Sequence, residues 1–138
     1  MADIGTGDGR LAAWLAERGH RVVTTENKAG PRAQARRLLD PLGIECRLGE
    51  GLQPIGPGEC EVAVMAGMGG RSIARMLAAS PEVVARLQGL VLQPIQHAED
   101  LLAALAAGGY RLAGREDIEQ GSHRYAALLV LPPYSTAP

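Results

Sequence analysis

The sequence predicts an α/β protein of three layers, with a mostly parallel sheet between two layers of helices and an antiparallel last strand. Short β-branched or apolar runs alternate with longer amphipathic runs along most of the chain. That alternation is the mark of strands joined by crossover helices. Near the C-terminus, two β-rich runs follow one another with only Gly121-Ser122 between them. No helix fits there, so these two strands are expected to pair antiparallel.

The elements follow in order. Residues 2–4 form a short first strand, ended by Gly5-Thr6-Gly7-Asp8-Gly9. Residues 10–18 space Leu11, Trp14 and Leu15 on one helical face, which predicts that Trp14 is a core residue. Gly19 stops this helix. The β-branched Val22, Val23, Thr24 and Thr25 predict a strand over 20–25. Pro31 suits the first turn of a helix over 31–39, which Asp40-Pro41 and Gly43 close. Residues 44–48 read as a third strand, and the Gly- and Pro-rich stretch after it reads as a loop. A fourth, apolar strand over 61–66 leads into Gly67-Met68-Gly69-Gly70 and a helix over 71–79. Pro81 starts a short helix to residue 87, residues 90–93 form a fifth strand, and 98–107 form a helix ended by Gly108-Gly109. Strands over 110–118 and 124–131 close the sheet, Pro132-Pro133 ends the last one, and residues 134–138 form a tail.

Composition bounds the function classes. A chain of 138 residues is one domain, and 46% hydrophobic residues suffice for a core. The net charge of −1 excludes a nucleic-acid clamp held by bulk charge, though not a local arginine patch. No run approaches a membrane span, and the first residues do not read as a signal peptide. Cys46 and Cys60 match no metal-binding or CxxC spacing. Reduced thiols, a cytoplasmic location and no metal are the expectations.

Four motifs carry chemistry. The first is Asp3-Ile4-Gly5-Thr6-Gly7, a glycine turn between strand and helix. Such a turn lets a ligand lie against the backbone, next to the free N–H groups of a helix start. A dinucleotide turn of the form G-x-G-x-x-G would place its third glycine at Arg10, whereas a D-x-G-x-G turn resembles the first motif of S-adenosylmethionine (SAM) methyltransferases. The second is Glu26, with Asn27 beside it, about 20 residues beyond the turn, where a carboxylate can accept both ribose hydroxyls of an adenosine group. The third is Gly49-Glu50-Gly51-Leu52, in which Glu50 is placed to accept from an adenine amino group and Leu52 to pack on the ring. The fourth is Ala66-Gly67-Met68-Gly69-Gly70, at the carboxyl end of the fourth strand, the edge where open α/β sheets bind ligands.

ADIGTGDGRL, GEGL, VMAGMGGRSIARML and LVLQPI, in this order and spacing, resemble the bacterial tRNA (adenine(22)-N(1))-methyltransferase family, often called the TrmK family. The resemblance runs from residue 2 to about residue 131. It implies a Rossmann-like class I methyltransferase fold, SAM as cofactor and tRNA as substrate. Matched motif by motif, Asp3, Gly5, Thr6 and Gly7 correspond to the cofactor turn, and Glu26 with Asn27 to the ribose site. Glu50, Gly51, Leu52 and Ala66 complete the expected cofactor set. Gly67, Met68, Gly69 and Gly70, with Gln93 and Pro94, correspond to the family's active-site mouth.

The sequence departs from the family in places. The histidine and tyrosine of the family's DIGTDHAYLP are absent, and LQPN has become Leu92-Gln93-Pro94-Ile95. The family's leading segment and its C-terminal helical extension are expected to be missing. Arg71 and Arg75, beside the glycine mouth, are candidate RNA contacts, whereas Arg32, Arg36 and Arg37 read as a solvated helix face. Leu131-Pro132-Pro133-Tyr134 superficially resembles the N/D-P-P-Y loop of amino-methylating enzymes, in the wrong place in the fold. Methyl transfer from a sulfonium needs alignment rather than a catalytic triad or a metal. A SAM- or RNA-binding module without turnover, and a nicotinamide oxidoreductase, remain as the other readings.

Overall fold

A computed structural model describes residues 1–133. Tyr134 and the expected tail lie outside the described residues. Seven strands form one sheet in the order β3-β2-β1-β4-β5-β7-β6. They are β1 (Ala2–Ile4), β2 (Val23–Glu26), β3 (Cys46–Leu48), β4 (Val62–Met68), β5 (Gly89–Pro94), β6 (Arg111–Gln120) and β7 (His123–Leu131). The helices are α1 (Arg10–Glu17), α2 (Ala29–Leu39), α3 (Gly70–Ala79), α4 (Pro81–Val84) and α5 (Ala98–Ala107). Strands β1 to β5 pair in parallel, and β7 runs antiparallel to both β5 and β6.

The short β1 is central. Asp3 faces Thr24 of β2 on one side and Val64 of β4 on the other. The chain runs outward from β1 to β2 and β3, then returns to lay β4 on β1's other flank. The reversal places a topological switch point at the carboxyl ends of β1 and β4.

Two apolar clusters hold the layers together. The larger joins Ile4, Met65, Leu90 and Leu92 of the sheet to Ile73, Leu77, Leu101 and Leu105 of α3 and α5. The smaller packs Ala12 and Ala13 of α1 against Ala35 and Leu39 of α2, with Ile44 and Cys46. This corrects the expectation for Trp14, which is 49% exposed, as is much of Leu11. Small alanines let α1 come close to α2, so the helix turns its alanine face inward and leaves its larger side chains outside. The Trp14 ring instead carries the Arg18 guanidinium at 3.6 Å, a cation–π contact.

The stretch after β3 is anchored more firmly than a plain loop. Arg47 of β3 donates to Glu45, to Glu59 and to the Pro54 carbonyl, and Leu52 and Ile55 enter the larger core. Both cysteines are buried and unpaired. Among the described residues, no helix is long and apolar enough to cross a membrane, and no cluster of three metal-ligating side chains occurs.

Candidate functional site

A cleft of about 450 Å³ opens at the switch point, within the range of nucleotide-sized ligand sites. Gly5 and Gly7 of the first turn, Glu26 and Asn27 after β2, Gly49 and Gly51 after β3, and Gly67, Met68 and Gly69 after β4 all line it. Four segments far apart in sequence therefore converge because their strands end at the same edge. A larger hollow of about 810 Å³ lies at the opposite edge, around Met1, residues 19–23 and residues 59–62. It contains none of the four motifs, so the smaller cleft is the candidate site.

Glu26 is the best-placed charged group. Its side chain is almost wholly buried, yet it borders the cleft. Oε1 accepts from the Gly7 N–H at 3.2 Å and Oε2 from the Lys28 N–H at 3.1 Å. The two backbone donors fix the carboxylate, and each oxygen keeps lone-pair capacity for a ligand hydroxyl. Gly7 has φ 61°, and a Cβ there would meet nothing within 4 Å, so its requirement is conformational. Thr25 ties two turns together, accepting from the Gly5 N–H at 3.4 Å and donating to the Gly51 carbonyl at 3.2 Å. From the sequence alone, Thr25 is only a β-branched strand residue. Its position beside Glu26 is the one local sign of this role.

Asp3 does not line the cleft. It is 3% exposed and accepts the Thr6 hydroxyl at 2.8 Å, while the Thr6 N–H reaches the Thr25 carbonyl. Burial raises the Asp3 pKa from the usual 3.8 to about 6, and the Thr6 hydrogen bond offsets this only in part. Asp3 and Thr6 thus brace the turn from behind.

The segment after β3 differs from expectation. Leu52 is fully buried in the larger core and does not reach the cleft, because consecutive turns after Glu50 fold this segment back onto the sheet. Glu50 lies outside the main cleft and is bonded to Arg75 Nη2 at 2.8 Å, bordering a smaller hollow with Gln53 and Met76. Arg75 itself lines the main cleft, whereas Arg71 is paired with Asp100 at 2.7 Å. Arg32 and Arg36 are also engaged, with the Cys46 carbonyl and Asp40.

At the mouth, β4 and β5 shift register between Ala66 and Met68, and the extra residue, Gly67, takes φ 77°. This β-bulge swings Met68 back over the turn, where its sulfur lies 3.3 Å from the position a Gly5 Cβ would take. Ala66, Gly70 and Gln93 support this mouth from outside the cleft lining, and Pro94 borders a separate hollow toward the β6–β7 hairpin. The fit to an adenosyl ligand rests on the pinned Glu26 carboxylate and the bare glycine backbone facing it. Ser72, Met76, Lys28 and Pro31 complete the walls.

Known proteins resemble the chain along most of its length. The family described as Methyltransferase domain matches residues 1–128. The chain is 31% identical over 135 residues to the tRNA (adenine(22)-N(1))-methyltransferase of Bacillus subtilis (strain 168), covering 94% of this chain and 57% of that protein. The crystal structure of the B. subtilis M1A22 tRNA methyltransferase TrmK superposes with a TM-score of 0.87 at 31% identity, covering 96% of this chain and 59% of that one. The Sp1610 protein of Streptococcus pneumoniae, in complex with S-adenosyl-L-methionine, superposes with a TM-score of 0.90 at 28% identity, over 99% of this chain and 67% of that one.

Proposed function

Because this chain belongs to the methyltransferase domain family, we propose that it transfers a methyl group from SAM to N1 of an adenine in tRNA. The observation that carries the reading is Glu26, held by two backbone N–H groups inside the switch-point cleft. The sequence kinship to the B. subtilis tRNA methyltransferase supplies the acceptor class. The same membership argues against the nicotinamide reading, as does Arg10 at the third glycine position.

SAM, when bound, would supply a methyl group activated on a sulfonium sulfur that leaves as a neutral sulfide. The residues of this chain bind and orient. Glu26 accepts ribose hydroxyls, with Asn27 beside it. Gly5 and Gly7 offer backbone without side-chain bulk, and Gly51 extends that surface. Asp3 and Thr6 hold the turn in shape, and Glu50 with Arg75 closes the rim. Gly67, Met68 and Gly69, backed by Ala66, Gly70, Gln93 and Pro94, border the mouth where the acceptor nitrogen meets the methyl group. Adenine N1 carries its own lone pair, so alignment is the protein's main contribution. A base paired within an RNA arm must be exposed first, and Arg71 and Arg75 are the candidate RNA contacts.

The test uses labelled SAM, total bacterial tRNA and mass spectrometry of the nucleosides. Label in N1-methyladenosine supports the proposal, and label in another nucleoside overturns the choice of base. SAM binding without label in any nucleoside leaves a cofactor-binding module and overturns the transfer step. Glu26→Ala is expected to weaken adenosylhomocysteine binding by roughly tenfold to a hundredfold in calorimetry, as loss of hydrogen bonds to a charged group requires.

A further inference from the structure

We propose that Arg47 is a positioning residue for the cofactor site: its guanidinium clamps the connection between β3 and β4 and, through Pro54, seats the Gly49 turn against Glu26. The proposal deepens the methyl-transfer reading, on which the identity of the ligand rests.

The clamp answers a need of the fold. Parallel strands are usually joined by a crossover helix, whose packing on the sheet holds the connection in place. Residues 49–61, between β3 and β4, form turns and no helix. Strand β3 is also the edge of the sheet and pairs with β2 alone. Yet this connection supplies Gly49 and Gly51 to the cleft. Leu52 and Ile55 peg its middle into the core, and Arg47 fastens its far half.

That fastening is complete. Arg47 Nε donates to Glu45 Oε2 at 2.9 Å, and Nη2 donates to Glu45 Oε1 at 3.2 Å. Nη1 donates to the Pro54 carbonyl and to Glu59 Oε1, each at 2.8 Å, and Nη2 donates to Glu59 Oε2. A guanidinium has five N–H groups, and all of them are used. Glu59 Oε1 also accepts from the Gly56 N–H at 2.9 Å. The Arg47 bonds, helped by Gly56, hold the Glu59 carboxyl at about 2, below its ordinary 4.5, so the pair stays charged at neutral pH. Exposed ion pairs contribute little. Arg71 and Arg75 are 68% and 65% exposed in their pairs, whereas Arg47 is 25% exposed and grips Glu59 with a fork.

The clamp reaches the cleft through a short relay. Arg47 holds the Pro54 carbonyl. The Pro54 ring lies so close to Gly49 that a Cβ on Gly49 would overlap it. The Gly49 N–H donates to the Glu26 carbonyl at 3.0 Å, on the residue whose carboxylate borders the cleft. Two residues on, the Gly51 carbonyl accepts from Thr25, which stands opposite Arg47 in the sheet. Loosening the guanidinium frees Pro54, then the Gly49 turn, and with it the support of Glu26 at the ribose end of the site. Arg47 touches no ligand in this scheme, and its effect is on how well the site is formed before the cofactor arrives.

The test is Arg47→Lys, which keeps the charge and loses the fork, studied in the full chain below its melting temperature. Hydrogen exchange at the Gly49 amide is expected to quicken by about tenfold, with the amides of α5 unchanged. Adenosylhomocysteine and adenosine, which share the ribose, are each expected to bind about tenfold more weakly in calorimetry. Glu59→Gln loosens the same clamp from its other side and should weaken adenosylhomocysteine binding by about threefold. Combined with Arg47→Lys it should cost nothing further, because the two residues act as a unit. Where Arg47→Lys does not fold, the loss in Glu59→Gln decides alone. An arginine that only stabilises the fold would lower the melting temperature and leave both affinities at the wild-type value, and that result overturns the proposal. Wild-type protein that binds no adenosylhomocysteine, with Gly49 still exchanging faster in Arg47→Lys, would strike the cofactor reading and leave the clamp standing.

Discussion

Asp3 and Glu26 are both buried carboxylates, and their surroundings give them different tasks. Glu26 has two backbone donors and an open side toward the cleft. Asp3 has one hydroxyl partner and no opening, so burial raises its pKa to about 6. An acid whose pKa is higher folded than unfolded binds more protons when folded in the interval between the two values. Stability therefore falls as pH rises from about 4 to about 6 and is then level, with a loss on the order of 3 kcal/mol at neutral pH. Asp3→Asn keeps an acceptor for Thr6 and has no charge to bury. Its melting temperature should match the wild type near pH 4 and exceed it above pH 6. A difference that does not change with pH would show that Asp3 ionises normally in the folded protein. The sequence marks both acids as candidates, but it does not tell the one that braces the turn from the one that faces the cleft, because burial depends on residues packed from elsewhere.

Among the elements, those set by local signals match their expected bounds most closely. Helix α5 occupies 98–107 as read from its apolar spacing and the glycines that end it. The hairpin turns at Gly121-Ser122. Helix α1 is also where expected, but its inward face is not, since apolar spacing alone does not distinguish a leucine and tryptophan face from an alanine face. The segment after β3 was legible as turns, and Leu52 and Ile55 as core were not. The junction of α3 with the turn before α5 is a tertiary joint of the same kind. Gly70 sits against the His97 carbonyl with no room for a methyl group. Gly70→Ala is expected to lower unfolding free energy by about 1–3 kcal/mol, the usual cost of overpacking, as measured by urea denaturation. An unchanged midpoint would mean that the 94–98 turn yields freely and that the joint is not tightly packed.

Across the whole molecule, the parallel sheet collects four sequence-distant segments at one edge, and the two helical layers hold the strands in register. A ligand that binds only the assembled edge must stabilise the entire fold. Adenosylhomocysteine at a hundred times its Kd adds about 2.7 kcal/mol, which for a chain of this size raises Tm by roughly 8–12 °C. Scanning fluorimetry should show this shift for the wild type, little of it for Glu26→Ala at the same concentration, and none with NADH. A shift with NADH alone would reverse the assignment of the cleft.

The sequence by itself determined the order and kind of the elements, the parallel sheet with its antiparallel end, and the glycine turns and Glu26 that line the switch-point cleft. Those features follow from local rules of spacing, turn chemistry and capping, which neighbouring residues settle among themselves. Only the tertiary structure decided that Trp14 lies outside, that Leu52 belongs to the core, that Glu50 is bonded to Arg75, and that Arg47 ties down the connection after β3. Each of these depends on which distant side chains fill the space around a residue, and that is settled by packing between layers rather than by the run of residues on either side.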